Sequence, residues 1–569
     1  MKRIRMASSV FLVALVGCTD VIDLDPVDDT PPVEARVRPK PISGGTLMVT
    51  SDGLAVAADP DRDRVYVVEI EGRVVRHTIA LEPDDEPGRV VAGSKGLAHV
   101  VLRGFGGVAA IDLASGRVVA RHRLCSDPRG LAFESETSML HVACADGTLL
   151  QLAEDSGEVL GRTTLEPDLR DVVLVDGTVQ ASRLRAASIV SQEGDRLTLP
   201  TTLGMKPHVA WRTWADEQGR MIMLHQLADP SPVPIDPEDS VGLPYGGGGF
   251  CQAGIDTPAI TIVDQGVQTT PLRGASLTVD AALSPDGRWV ALAMPGAPAG
   301  SSTLVVTPIG ETECVFAPPA GDEGQVVSVA FDTDGTLVAQ SREPARLVVL
   351  SNLRTRSFAS IELEGESRFD TGHEIFHRAT DSGLSCATCH PEGADDGFVW
   401  TFERLGKRRT QVLDIGLAGT APFHWDGDME DLDMIMDQVL THRMGGMRQS
   451  KARQASFESW MFALQRPPAD TVGDDPGLVQ EGQERFNAYG CATCHHGPKL
   501  GGGSKSEQIG ELHLQVPSLR RVSLRPPFMH DGRSRTLDDA VLDMIVTTTP
   551  SSDPPARDIE AISAYLRTL

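Results

Sequence analysis

The chain has 569 residues, too many for one compact domain, so two or three are expected. A formal net charge of -27 argues against nucleic acid, whose phosphates need a basic face, and against attraction to an anionic membrane surface; it fits a partner with a basic docking face and equally a plain solvated surface. Few aromatics, with 56 glycines and 38 prolines, suit short strands joined by turns better than a helical bundle.

Lys2, Arg3 and Arg5 form a basic start, followed by a short apolar run from Val10 that ends in Leu15-Val16-Gly17-Cys18. The run is too short to span a bilayer and predicts a signal peptide over residues 1–18. Its Leu-x-Gly-Cys ending resembles a bacterial lipobox. That implies a lipid anchor at Cys18 and an exported protein on a bacterial membrane, periplasmic or at the cell surface. The alternative is an ordinary signal with an incidental cysteine. Residues 19–44, rich in Asp, Pro and Val, are expected to be a flexible tether.

From residue 45 to about 360, short β-branched runs alternate with Asp-Gly, Pro-Asp-Gly and Ser-Gly turns, as in Leu283-Ser284-Pro285-Asp286-Gly287 leading to Val290-Ala291-Leu292. Starts near 53, 91, 129, 169, 207, 278 and 326 recur at roughly 40-residue spacing, the period of a four-stranded blade. The pattern resembles YVTN-type and WD40-like propellers and predicts an all-β propeller of about seven blades over 45–360. An array of β-sandwiches is the competing fold. Pro230 to Asp256 is too long for a blade turn. It is expected to cover the next domain, to line the propeller mouth, or to be a surface loop stapled by Cys251. His208, Trp211 and Trp214 are candidates for a propeller site, with strand packing as the plainer alternative.

Four cysteines lie outside any motif: Cys125, Cys144, Cys251 and Cys314. In an oxidising compartment an even remainder suggests disulfides. Cys125 and Cys144 flank one strand-turn-strand unit and are expected to pair. Cys251 with Cys314 then follows by elimination, against four buried thiols as the alternative.

Beyond Glu362 the alternation fades, and His, Met and helical spacing appear. Lys451 to Leu464 and Asp558 to Leu569 read as amphipathic helices. Pro467-Pro468 and Asp474-Asp475-Pro476 mark a linker, so a mostly α-helical region is expected as two lobes, 361–468 and 469–569. Each lobe carries one Cys-x-x-Cys-His motif: Cys386-Ala387-Thr388-Cys389-His390 and Cys491-Ala492-Thr493-Cys494-His495. The spacing lets two thiols add to the vinyl groups along one porphyrin edge while the His meets the iron, the attachment signal of haem c. Two covalently bound haems are therefore expected. A thioredoxin-like redox pair does not need the His, and a zinc site would close with further Cys or His nearby.

The flanks carry a resemblance. Gly372-His373-Glu374-Ile375-Phe376 and Gly482-Gln483-Glu484-Arg485-Phe486 look like the helix that leads into a cytochrome c haem. Val516-Pro517-Ser518-Leu519-Arg520, Pro527-Phe528-Met529-His530-Asp531-Gly532-Arg533 and Thr536-Leu537-Asp538-Asp539-Ala540-Val541 resemble the C-terminal lobe of bacterial di-haem cytochrome c peroxidases and their MauG relatives. Arg409-Thr410-Gln411-Val412 and Phe423-His424-Trp425-Asp426-Gly427 resemble the N-terminal lobe. The resemblance covers about 365–569 and leaves the propeller outside.

It implies an electron-transfer haem at His495 with Met544 as distal ligand, Met529 being the nearer alternative. It implies a peroxide-reacting haem at His390, with Trp425 between the two. A small redox protein, cytochrome or cupredoxin, would donate the electrons, and peroxide or another substrate would receive them. The chain departs from the family where no His lies between Pro391 and Phe423, and where His442-Arg443-Met444-Gly445 replaces the distal acid's segment. Arg443 is then expected to stabilise charge and His442 to move a proton; alternatively Met444 or His442 caps the iron and leaves an electron carrier. The family's calcium site is in doubt, because Arg409 and Arg525 occupy its Asn and Thr positions. Those arginines, with Lys407 and Arg408, are expected to meet haem propionates or to form a solvated basic face.

Overall fold

The computed structural model describes residues 26–569 except 217, 237–241, 247–250, 252–253, 311–313, 316, 318–320, 354–357, 467–474, 502–505 and 551. The expected signal peptide, Cys18 and the Pro467-Pro468 linker lie outside the described residues. Among the described residues, no helix is long and apolar enough to cross a membrane.

Seven antiparallel sheets follow one another over 47–80, 87–123, 128–164, 169–198, 206–271, 280–308 and 326–362. We call them blades I to VII. Blade VI has three described strands and the others four. The first strand of each blade touches the first strand of the next, and that of blade VII returns to blade I, so the ring is a seven-bladed β-propeller. The turns that the sequence marks with Asp-Gly end strands because Gly reaches positive φ there, as at Gly53 (φ 79) and Gly287 (φ 67). Separate apolar clusters fill the gaps between neighbouring blades, such as Val56, Val67, Val100 and Ile111 between I and II. Closure from VII to I adds polar bonds to an apolar cluster that includes Ala57, Tyr66, Val338 and Leu347: Gln340 donates to the Ala58 carbonyl (2.8 Å) and accepts from Thr46 Oγ1 (2.8 Å), and Leu47 N–H donates to Ser328 Oγ (3.1 Å).

Disulfides join Cys125 to Cys144 and Cys251 to Cys314. The second ties the insertion of blade V, between strands Met221–Ala228 and Asp256–Val263, to the segment that follows blade VI. His208 is bonded to Asp256 and faces Phe398 and Trp400 of the next region, while Trp211 is core.

Among the described residues, seven α-helices follow the propeller: α1 Thr371–His377, α2 Cys386–Cys389, α3 Leu432–Ile435, α4 Lys451–Ala463, α5 Pro476–Ala488, α6 Leu537–Thr548 and α7 Ala556–Arg567. Two hairpins and long turns connect them, so helices frame this region without making up most of it. The expected mostly helical composition is corrected accordingly: the long turns are spent wrapping the cavity described below.

The expectation of a flexible tether over 19–44 also fails for its described part. Val27–Asp28 pairs in parallel with Arg448–Gln449, and the Asp28 carboxylate meets Arg453 at 3.1 Å. Val33 N–H donates to Thr371 Oγ1, Trp460 Nε1–H to the Pro39 carbonyl, and Ile42 N–H to His377 Nε2. A proline-rich chain has few donors of its own, and here side chains of α1 and α4 satisfy its backbone instead.

The first strands of blades II to IV carry Arg89, Arg129 and Arg170 into the propeller mouth. The segment after α2 enters that mouth. Glu392 (φ 56) accepts from Arg103 (2.7 Å) and Arg170. Arg185 donates to the Asp395 carbonyl (3.1 Å), and Arg521 to Asp127 (3.2 Å). All of these groups are buried. A buried charge without its partner costs several kcal/mol, so the propeller and the following region hold each other in place.

Candidate haem-binding cavity

The two Cys-x-x-Cys-His motifs are built differently. In the first, the Asp370 carboxylate caps α1 by accepting from His373 N–H (3.1 Å), and α2 carries the motif under a Ser385–Thr388 capping pair. In the second, α5 ends at Ala488, Gly490 (φ 77) redirects the chain, and a single 3-10 turn, Cys491–Thr493, leads into Cys494. In both, the motif closes the same way: His390 N–H donates to the Cys386 carbonyl and His495 N–H to the Cys491 carbonyl, each at 2.9 Å.

Each imidazole is anchored by one nitrogen. His390 Nδ1 lies 3.1 Å from the Ala394 carbonyl and His495 Nδ1 lies 3.1 Å from the Leu500 carbonyl. A carbonyl only accepts, so Nδ1 carries the proton and Nε2 keeps its lone pair. Burial holds both rings below the usual histidine pKa, hence neutral. This is the arrangement that orients a histidine for a metal.

Both motifs open into one cavity of about 690 Å³, lined by Cys386, Cys389 and His390 at one end and Cys491, Cys494 and His495 at the other. The four thiols are free. Burial pushes Cys386 up to about 12 and Cys491 up to about 11, so neither is the activated thiolate of a redox pair. Paired free thiols, neutral oriented imidazoles and a mainly apolar cavity together fit a haem c at each end.

The two lobes are variants of one plan. At one constant sequence offset, Cys386 falls on Cys491, His390 on His495, Gly427 on Gly532 and Leu432 on Leu537. The turns at Phe423–Met429 and Phe528–Ser534 close with the same bridge, and His424 (φ 63) and Met529 (φ 70) share the same left-handed backbone. The lobes also exchange backbone bonds: Arg409 N–H donates to the His530 carbonyl (2.6 Å), and Gln515 N–H to the Trp425 carbonyl (2.7 Å). Trp425 and His530, equivalent by the offset, meet ring to ring at 6.2 Å. Trp425 Nε1–H donates to the Arg409 carbonyl at 2.6 Å.

Met544 lines the cavity from α6, and Met529 lines it from the turn at Phe528–Ser534. The offset places Val439 opposite Met544, and Val439 lines the cavity too. An isolated apolar position on a helix face carries no motif by which the sequence alone would mark it. The constant offset was the signal that would have found it. Val439 lies in a π-helical stretch, Met436–Arg443, the kind of local widening common at functional sites. Arg443 and Met444 face the cavity, but His442 does not. The wide turn directs His442 outward, 41% exposed and 3.9 Å from Asp437, so its expected role in moving a proton in the cavity is corrected.

The arginines are not a solvated face. Arg408 pairs with Asp426 (2.7 Å) and Arg409 with Asp395 (2.8 Å), while Arg525 donates to the Arg521 carbonyl. Arg408, Arg409 and Arg525 all reach the cavity wall, where their charge opposes a cation.

No protein-family model matches the chain. Part of it is similar to cytochrome c551 peroxidase of Nitrosomonas europaea, 29% identical over 140 residues, or 20% of this chain and 39% of that protein. It is similar to cytochrome c peroxidase Ccp of Escherichia coli, 30% identical over 266 residues, or 35% of this chain and 57% of that protein. It is also similar to the methylamine utilization protein MauG of Methylorubrum extorquens, 26% identical over 222 residues, or 28% of this chain and 62% of that protein. The chain thus spans less than two thirds of each of these three relatives. Among solved structures, a chain of Kuenenia stuttgartiensis hydrazine synthase superposes with a TM-score of 0.45 and 12% identity, covering 56% of this chain and 98% of that chain. A seven-bladed propeller and a stretch similar to cytochrome c peroxidases and MauG are thus joined in one chain.

Proposed function

We propose that this chain is an exported di-haem c-type cytochrome that acts as a peroxidase-like oxidoreductase. The observation that carries the reading is one cavity between two like lobes, with Met544 on one helix and Val439 at the matching position of the other. Cys386, Cys389 and His390 would hold one haem; Cys491, Cys494 and His495, with Met544, would hold the second. Haem held there would supply reversible one-electron chemistry; the His495 end would be the entry for electrons and the His390 end the place where hydrogen peroxide or another substrate reacts.

The chain's own residues supply orientation and charge. The Ala394 and Leu500 carbonyls fix the two imidazoles. Trp425, held by the Arg409 carbonyl and packed on His530, is a rigid aromatic bridge between the ends. Arg443 presents a cation where negative charge develops on a leaving oxygen. A small cytochrome or cupredoxin with a basic face suits an acidic chain as electron donor. The lipobox-like Leu15-Val16-Gly17-Cys18 sequence supports export with a lipid anchor.

Mass spectrometry and haem staining should count two covalent haems, and steady-state assays with a reduced cytochrome or dye should show peroxide turnover. Absent turnover, with both irons six-coordinate by electron paramagnetic resonance, would sink the reading.

A second reading, a pure electron carrier, is favoured by one observation: Met444 is buried and lines the cavity beside Arg443. Cyanide separates the two, since a carrier with both ends capped binds none. A ligand-binding propeller has less support, because Glu392 and its arginines fill the mouth.

A further inference from the structure

The His390 end lacks the family's distal His and acid, yet it is not apolar. Arg443 lies one turn beyond Val439 on the same helical stretch, and both line the cavity. Facing Arg443 is a residue from outside the lobe, Tyr245, on the insertion of blade V. Its backbone N–H donates to the Arg443 carbonyl (3.2 Å), its carbonyl accepts from Ile255 N–H (3.2 Å), and the Arg443 guanidinium is near enough to its hydroxyl to favour the phenolate. The ring packs 6.4 Å from Phe402 and belongs to the apolar group that includes Cys389. Tyr245 and Ile255 both line the cavity, and the Cys251–Cys314 bond pins the insertion that bears them. Two further ionisable groups stand near: His424, on the cavity wall, and Asp428, 3.3 Å from His424.

We propose that Tyr245 is the hydrogen-bond donor for a small anionic ligand or peroxide at the His390 end, so that the propeller completes the cavity of the lobe that follows it. The inference rests on the reading of that end as open. Burial raises the Tyr245 pKa more than the Arg443 guanidinium lowers it, so the phenol keeps the proton that it donates. Val439 offers no polar group at that wall, and the backbone bond from Tyr245 N–H to the Arg443 carbonyl holds the two polar side chains beside each other.

The test uses the full, haem-loaded chain. Cyanide is titrated into the ferric protein, and the C–O stretch of the ferrous carbon monoxide adduct is read by infrared. Tyr245→Phe keeps the ring against Phe402 and removes only the hydroxyl. The expected result is cyanide affinity about tenfold weaker, equivalent to about 1.4 kcal/mol, and a C–O stretch moved to higher frequency. An unchanged affinity and stretch in Tyr245→Phe, with both lost in His424→Gln, would assign the donor to His424 and overturn the proposal. A spin-state change in the unliganded ferric variant would make Tyr245 an iron ligand and overturn it as well. Wild-type protein that binds neither probe would overturn the open-end reading itself, a failure distinct from the other two.

Discussion

The two lobes follow one plan but are stabilised in opposite ways. Ile375, Phe376, Val412 and Trp460 of the first lobe belong to the same apolar cluster as Trp211, Val279 and Leu292 of the propeller. The second lobe keeps a core of its own, from Phe486, Val541, Ile545, Ile562 and Leu566. The segment after the first motif, from Pro391 to Asp396, is buried throughout, whereas after the second motif His496, Gly497 and Pro498 are exposed. A repeated unit can therefore keep its backbone while one copy gives up its independence. The copy that did so also has neighbours from outside the lobe, Tyr245 among them.

The sharpest way to break this comparison is to remove the thiols of one end at a time. Cys386→Ala with Cys389→Ala should leave one covalent haem, no peroxide turnover and no cyanide binding. Cys491→Ala with Cys494→Ala should also leave one haem and no turnover, but cyanide should still bind. Equal cyanide behaviour in the two variants, read with haem staining, would erase the distinction between the ends.

Next in size is the charged junction. Glu392→Gln strands Arg103 and Arg170 in the propeller mouth and should cost about 3–5 kcal/mol in denaturant unfolding. Glu481→Gln, which breaks an exposed pair with Arg557 in the second lobe, should leave the unfolding curve where it was.

Acid should act on the same platform. Burial alone would raise the Asp171 pKa, but Arg89 and Arg212 hold it at about 2, against an ordinary 3.8. Between those values the unfolded chain takes up a proton that the folded chain does not. The Asp171 contribution is thus complete above pH 3.8 and is lost as pH falls through 2, a change of about 2 kcal/mol. Asp171→Asn should flatten that part of the stability–pH curve. The smallest effect belongs to Trp425→Phe. It loses one hydrogen bond, about 1 kcal/mol, and should slow reduction of the His390 end by the His495 end in stopped-flow optics.

Much of this was readable in the residues. Six of the seven expected blade starts fall within a few residues of a first strand, because turn glycines and alternating branched residues obey local rules. The motif cysteines and histidines were readable for the same reason, since their chemistry is local. What escaped was set by distant contacts. Nothing in Asp-Pro-Val composition says that residues 27–42 meet donors and acceptors on α1 and α4, and nothing near Tyr245 says that Arg443 stands opposite. His442 was misplaced because a π-helical turn changes which residues share a face.

The burial of Ala387, Thr388 and the Pro391–Asp396 segment against the propeller also sets an order of assembly. Whatever is covalently attached at Cys386 and Cys389 must arrive before the lobe closes onto blades II to IV. The second end, with Thr493 and His496 still open to solvent, stays accessible to the attachment machinery after the rest of the molecule has folded. Maturation of this chain is thus expected to be sequential, and an intermediate filled only at the His495 end should be a dead end if its propeller has already docked.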